Sequence, residues 1–232
     1  MSWVSDCYRE HKQKWLNFQP FELDPMLIRQ RLGALSPETE WPNPHLEPVV
    51  AKRVRASAKR SAVAIILRDQ PELPIVLTQR SAKIRFGGQW CFPGGREAGS
   101  DDSLRTAALR ETEEEIGLLG EDMTWLGCLG QYYTQSGFLI EAHVFKVEGD
   151  CNYRFNPEEV ADLVEVPIKA IQNPDHYHLI GRGHERANFQ FRWQSVQIGG
   201  PTVSLLIHLI RCLSGLGLPR DRIASRDKLG NF

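Results

Sequence analysis

Residues Gly94–Leu118 read GGREAGSDDSLRTAALRETEEEIGL. At about 100° per residue, a helix over the second half puts Leu104, Ala107 and Ala108 on the same side as Glu111 and Glu115. Glu114 borders that side, and Glu113 points nearly opposite. Like charges four residues apart repel by roughly a few tenths of a kcal/mol. Glutamates in a last turn also face the negative end of the helix dipole. Propensity does not explain the choice, because glutamine forms helices equally well. A bound cation would offset both penalties, and hard divalent ions such as Mg²⁺ or Mn²⁺ take oxygen ligands of this kind. ETEEE alone reads as a solvated face. Its surroundings change that reading. Phe92–Gly95, FPGG, ends a strand just upstream, and Gly94 and Gly95 let the backbone approach a ligand closely. SDDS supplies helix caps, and Gly117 closes the end, so the helix is expected from about Asp101 to Ile116.

Outward from this unit the pattern is mixed. SAVAIIL and IVLTQR, separated by the turn DQPELP, predict a strand pair, and QWCF a third short strand stopped by PGG. MTWLGCLGQYY and FLIEAHVFKV predict two more, and HYHLIGR and ANFQFRW another two around a Gly-His turn. NPEEVADLVEVP starts like a helix, with Asn156 as cap and Pro157 at the first position. PTVSLLIHLIRCLSGLG is apolar around most of its circumference and predicts a buried helix. Residues 1–36 look helical with a break at Pro20, and Asp24 and Pro25 open a helix that places Leu27, Ile28 and Leu32 on one side. SPETEWPNPHLEP reads as an extended proline-rich linker. Without regular βαβ alternation, the expected fold class is α/β of the α+β kind, a mixed sheet between helices.

A net charge of -1 argues against nucleic acid as a partner of the whole chain. The five cysteines, Cys7, Cys91, Cys128, Cys151 and Cys212, contain no CxxC, so neither a disulfide framework nor a zinc site is indicated. A reducing cytoplasm is the expected location. The first residues have no apolar signal core, and no run reaches the roughly 18 apolar residues of a membrane span.

The acidic stretch resembles the signature of the Nudix hydrolases, G-x5-E-x7-R-E-U-x-E-E-x-G-U, where U is a bulky aliphatic residue. Arg110, Glu111, Glu114, Glu115, Gly117 and Leu118 match its second half. Counting back from Arg110 puts Asp102 at the first Glu and Arg96 at the Gly. Gly95 fits with one extra loop residue, and Thr112 stands at an aliphatic position. The resemblance runs from about Arg60 to Pro167. LTQRSAKIR before FPGG, NPEEV leading to VEVPI, and GPTV are similar to the coenzyme A diphosphatase branch, although Trp90 and Ala98 depart from its pattern.

The resemblance implies a Nudix α/β/α sandwich, expected over residues 51–218; it does not account for residues 1–50, which read by pattern as a helical extension and linker, and 219–232 are expected to form a tail. It implies divalent-metal hydrolysis of a diphosphate in a nucleotide-type small molecule, coenzyme A foremost. The alternatives are ADP-ribose or a dinucleotide, and, in another class, a ligand-binding module without catalysis. The implied metal ligands are Glu111, Glu114, Glu115 and the Gly95 carbonyl. Arg110 would orient a glutamate. Glu111 is the first choice for general base and Glu159 the alternative. Arg80, Ser81, Arg85, Gly94 and Gly95 are expected to bind substrate, with Lys83 weighed against plain surface charge. His176 and His178, one residue apart on a strand, read as structural, and Cys91 as a buried strand residue. Trp3, Trp15 and Phe18 are expected to pack the first helices on the domain or, in a homodimer, on a second subunit.

Overall fold

The computed structural model describes residues 2–181 and 186–217, and the side chains of these apart from 2–5. Three helices come first: α1 (Ser2–Trp15), α2 (Pro25–Gly33) and the short α3 (Lys52–Ala56). Asp24 caps α2 by accepting from the Leu27 N–H at 2.8 Å, with Pro25 behind it, and Ile28 and Leu32 face the core. There follow β1 (Lys59–Arg68), β2 (Ile75–Arg80), β3 (Trp90–Cys91), β4 (Gly94–Arg96) and α4 (Leu104–Ile116). The chain continues with β5 (Met123–Tyr133), β6 (Phe138–Val147), β7 (Val160–Val166) and α5 (Ile168–Ile171). It closes with β8 (Tyr177–Gly181), β9 (Ala187–Trp193), β10 (Val196–Ile198) and α6 (Gly200–Leu213).

The main sheet has seven strands in the order β3-β2-β1-β6-β5, with β4 on β1 and β7 on β2. Only β1 and β6 run parallel, so the sheet is mixed as expected. β8, β9 and β10 form a second, antiparallel sheet. Strand alternation splits the core in two. Ala62, Ala64, Ile66, Val76, Phe145 and Val147 lie under α4, where the small alanines meet Ala107 and Ala108 and let the helix sit close. Ile65, Leu67, Ile75, Leu77, Ala142 and Val144 face α6, α2 and the second sheet. Helices on both faces of a mixed sheet make the α/β/α sandwich. Among the described residues no helix is long and apolar enough to cross a membrane.

α6 is buried along its length from Thr202 to Leu213. It holds the N-terminal segment. Arg211 donates to the Lys14 and Trp15 carbonyls at 3.1 Å each, and His208 stacks on Trp41 at 4.8 Å. Trp15, Phe18, Ile28, Leu32 and Trp41 are all in the larger core cluster. Trp15 and Phe18 therefore pack on their own domain. The proline-rich stretch is extended but not free: Thr39 and Trp41 hydrogen-bond to both sides of Gln131 on β5.

The structure differs from expectation at several places. After Asn156 the chain makes one turn, with the Glu159 and Val160 N–H groups bonded to the Asn156 carbonyl, and then enters β7 instead of a helix. The β-branched Val160, Val164 and Val166 pair with β2, and this tertiary pairing outweighs the local cap. The acidic helix begins at Leu104, three residues later than expected, because Ser103 accepts from the Thr106 N–H. Gly94–Arg96 is a strand and not merely a stop. The predicted Gly-His turn, the Trp3 side chain and the 219–232 tail lie outside the described residues.

Candidate active site

β1 shares one edge between two partners. Leu67 pairs with Ile75 of β2, while Ser61, Ala62 and Val63 pair with Arg96, Gly95 and Gly94 of β4. The Trp90–Arg96 segment fills the resulting fork, with β3 on β2 and β4 on β1. This carries the glycine corner beneath the last turns of α4. Gly94 has φ +148°, and a Cβ there would stand 2.3 Å from the Ala62 carbonyl oxygen. A Cβ on Gly95 would stand 2.3 Å from the Glu111 carboxylate carbon, so only glycine leaves room for that carboxylate.

The helical geometry sorts the glutamates as expected. Glu113 and Glu114 are exposed, Glu111 is half-buried, and Glu115 is 4% exposed. No hydrogen bond reaches Glu115 Oε2. Burial pushes its carboxyl up to about 8, against the pull of the Arg80 charge and with the push of Glu111 and Glu159. Burial also raises Glu111, opposed by the Arg110 hydrogen bond and reinforced by Glu114 and Glu159. Glu159 belongs to the group through these charges, and its carbonyl accepts the Ser81 N–H at 2.8 Å.

Arg110 is the hub. Its Nη1 donates to Glu111 at 2.9 Å and to Glu114 at 3.0 Å, and its Nη2 donates to the Arg96 carbonyl at 3.1 Å. Its main partner is one the sequence reading missed. Asp101 takes a two-pronged contact from Nε and Nη2, 3.0 Å each, and also accepts the Ala98 N–H at 2.8 Å. These bonds hold the Asp101 carboxyl below its ordinary value. Asp102, the residue that counting had placed at the first glutamate, is exposed. The signal was the one-residue-longer loop itself, which shifts the acid by one position. Thr112, at the aliphatic position, is fully buried and satisfies its hydroxyl on the Ala108 carbonyl at 2.7 Å.

The structure brings together Gly94, Gly95, Arg110, Glu111, Glu115, Glu159, Arg80 and Ser81. It turns two others away. Arg85 is exposed with its guanidinium 4.5 Å over the Phe86 ring, and Lys83 pairs with Glu158 on the surface. Glu114 is drawn outward by Arg110, and the oxygens of Glu111, Glu114 and Glu115 do not all come within 4.8 Å of one another. His176 bonds the Ala170 carbonyl at 2.8 Å and has a structural role. An open hollow of about 650 Å³ beyond α4, lined by Gly117, Glu121, Asp150 and Arg154 among others, contains none of these glutamates. A buried carboxylate oxygen with no donor, beside a second carboxylate packed on a glycine, fits a hard divalent cation.

A strand, a glycine corner and an acidic helix thus form one unit on the mixed sheet. The sequence matches the NUDIX domain family over residues 58–184, and the chain belongs to that family. It is 33% identical over 163 residues to the uncharacterized Nudix hydrolase NudL of Yersinia pestis, covering 68% of this chain and 82% of that one. NudL of Yersinia pseudotuberculosis matches equally. Solved structures that resemble it more loosely include an Ap4A hydrolase of C. elegans (20% identity, TM-score 0.43, 50% of this chain and 86% of that one). A MutT/nudix family protein of Enterococcus faecalis is another (15%, TM-score 0.42, 87% and 72%). The protein is thus a Nudix hydrolase, of a family that generally uses divalent metal ions and acts on nucleoside-diphosphate-linked substrates.

Proposed function

We propose that this hydrolase cleaves the diphosphate of coenzyme A or acyl-coenzyme A, giving adenosine 3',5'-bisphosphate and 4'-phosphopantetheine. The reading rests on the buried, donor-free Glu115 oxygen beside Glu111 and Gly95, with Arg80 and Ser81 of the LTQRSAKIR segment on the same rim. Glu111, Glu115, the Gly95 carbonyl and, after a rotamer change, Glu114 would hold Mg²⁺ or Mn²⁺. When bound, such an ion offsets the charge of the diphosphate and makes water more acidic. Arg110, fixed by Asp101, keeps Glu111 in place. Glu111 is positioned to accept the proton of the attacking water, with Glu159 as the alternative. Water oxygen joins one phosphorus, the bridging P–O bond breaks, and the leaving phosphate carries away the electron pair. Arg80 supplies a positive charge to the substrate phosphates, and Arg85 could join it by swinging off Phe86.

Residues 51–218 form the catalytic domain in this reading, with 1–50 as an extension of it and 219–232 as a tail. Five free cysteines agree with a cytoplasmic location. The test is a product panel of coenzyme A, acetyl-coenzyme A, ADP-ribose and a diadenosine polyphosphate with Mg²⁺ and with Mn²⁺. Adenosine bisphosphate from the first two supports the reading. Cleavage of ADP-ribose with coenzyme A untouched overturns the substrate, and binding without turnover overturns catalysis.

A further inference from the structure

The β5–β6 ladder carries side chains that the hydrolytic site does not use. Cys128 stands directly across from His143, and Glu141, two residues before His143, projects from the same face. Bulges at Trp125/Gly127 and Cys128/Gly130 bend β5 here. One ligand atom from each of the three residues lies within 4.8 Å of the other two, the one such His/Cys/carboxylate group among the described residues. Cys128 and His143 are buried, at 5% and 4% exposure, and the Glu141 side chain is 12% exposed.

The imidazole is the anomaly. Nδ1 of His143 has no hydrogen-bond partner. Nε2 lies 3.0 Å from Glu141 Oε1, and this contact helps hold the Glu141 carboxyl below its ordinary value. Buried polar groups are normally satisfied, so a sealed ring with an unpartnered Nδ1, in a group of three donor atoms this close, points to a missing ligand. Its neighbours are already oriented. Gln131 Nε2 donates to Glu141 Oε2 at 3.2 Å, and the Gly130 N–H reaches Cys128 Sγ at 3.3 Å. Metal ligands are commonly steadied by outer partners of this kind.

We propose that Cys128, Glu141 and His143 form a second metal site, for a thiophilic divalent ion such as Zn²⁺, separate from the hard-ion site of Glu111 and Glu115. Sulfur, imidazole and carboxylate together suit Zn²⁺ and disfavour Mg²⁺. Zinc distances of about 2.0–2.3 Å in a tetrahedron put ligand atoms roughly 3.5 Å apart, and three atoms within 4.8 Å of one another reach that spacing by side-chain adjustment. Binding releases the thiol proton to solvent. Three protein ligands leave the fourth position to water. The ion would clamp β5 to β6, the strand that runs beside β1 and its glycine corner.

Co²⁺ is the probe, added to the full chain stripped with chelator. One equivalent should give a thiolate-to-cobalt absorption band in the near ultraviolet, and Zn²⁺ should erase it by displacement. The band should survive Glu115→Gln, which removes a ligand of the other site, and Cys91→Ser, which removes a thiol that feels the Glu115 charge. It should vanish in Cys128→Ser and in His143→Gln. Glu141→Gln, which keeps the sulfur contact, should weaken Co²⁺ by roughly 10-fold or more. Circular dichroism checks that each variant folds, and if Cys128→Ser does not, His143→Gln carries the same expectation. No band in the unmodified chain, or a band that persists without Cys128 or without His143, overturns the proposal. Loss of hydrolysis in Glu115→Gln with the band intact keeps the two sites distinct.

Discussion

Glu115 carries a conflict that metal binding resolves. It is buried beside like charge, and its carboxyl holds a proton in the fold up to about 8. The unfolded chain loses that proton near the ordinary glutamate value of about 4.3. The native state therefore binds more protons over this interval, and stability of the metal-free protein falls as pH rises from about 5 to about 8. Thermal midpoints in chelator should show that fall, and Glu115→Gln should flatten it. The same variant should lower divalent-dependent turnover by roughly 100-fold or more, because an amide oxygen is a poorer ligand for a hard ion. Wild-type turnover in Glu115→Gln removes this residue from the metal site. Gly95 makes the complementary case. A methyl group there would meet the Glu111 carboxylate, so Gly95→Ala should fold yet displace the carboxylate and raise the Mg²⁺ concentration needed for half-maximal rate.

At the scale of the element, α4 and its loop act as one piece. Asp101, Arg110 and the Arg96 carbonyl tie the loop to the helix, and Arg110 in turn holds Glu111. Asp101→Asn should cut kcat by roughly 10-fold and lower the melting temperature. Asp102→Asn, one residue on and exposed, should behave as wild type. Steady-state kinetics of the pair decide between the register counted from the sequence and the one in the fold. Why counting failed is instructive. The helix was legible because its period, the Ser103 cap and the Gly117 stop are all local. A fixed spacing carried across a loop with one extra residue is not local, and Asp101 was lost there. NPEEV failed in the opposite sense: a sound local cap was overruled by β7 pairing with β2. The Cys128, Glu141 and His143 group was invisible for a related reason, since strand register brings together residues that no linear spacing connects.

For the whole molecule, the strand pattern and the buried last helix were readable, and so was the mixed sheet. The fate of the proline-rich stretch was not, because composition gives flexibility but not partners. Trp41 is 2% exposed and donates its indole N–H to the Leu129 carbonyl at 2.6 Å. Trp41→Ala should cost about 3–5 kcal/mol in chemical denaturation, far more than a linker residue would. The Arg211 and His208 contacts have a consequence in time as well as in space. The earlier segment waits for a helix made much later in synthesis before Trp15, Phe18 and Trp41 find cover. Premature release of a chain ending before Gly200 should therefore leave a sticky, aggregation-prone fragment and not a smaller working enzyme.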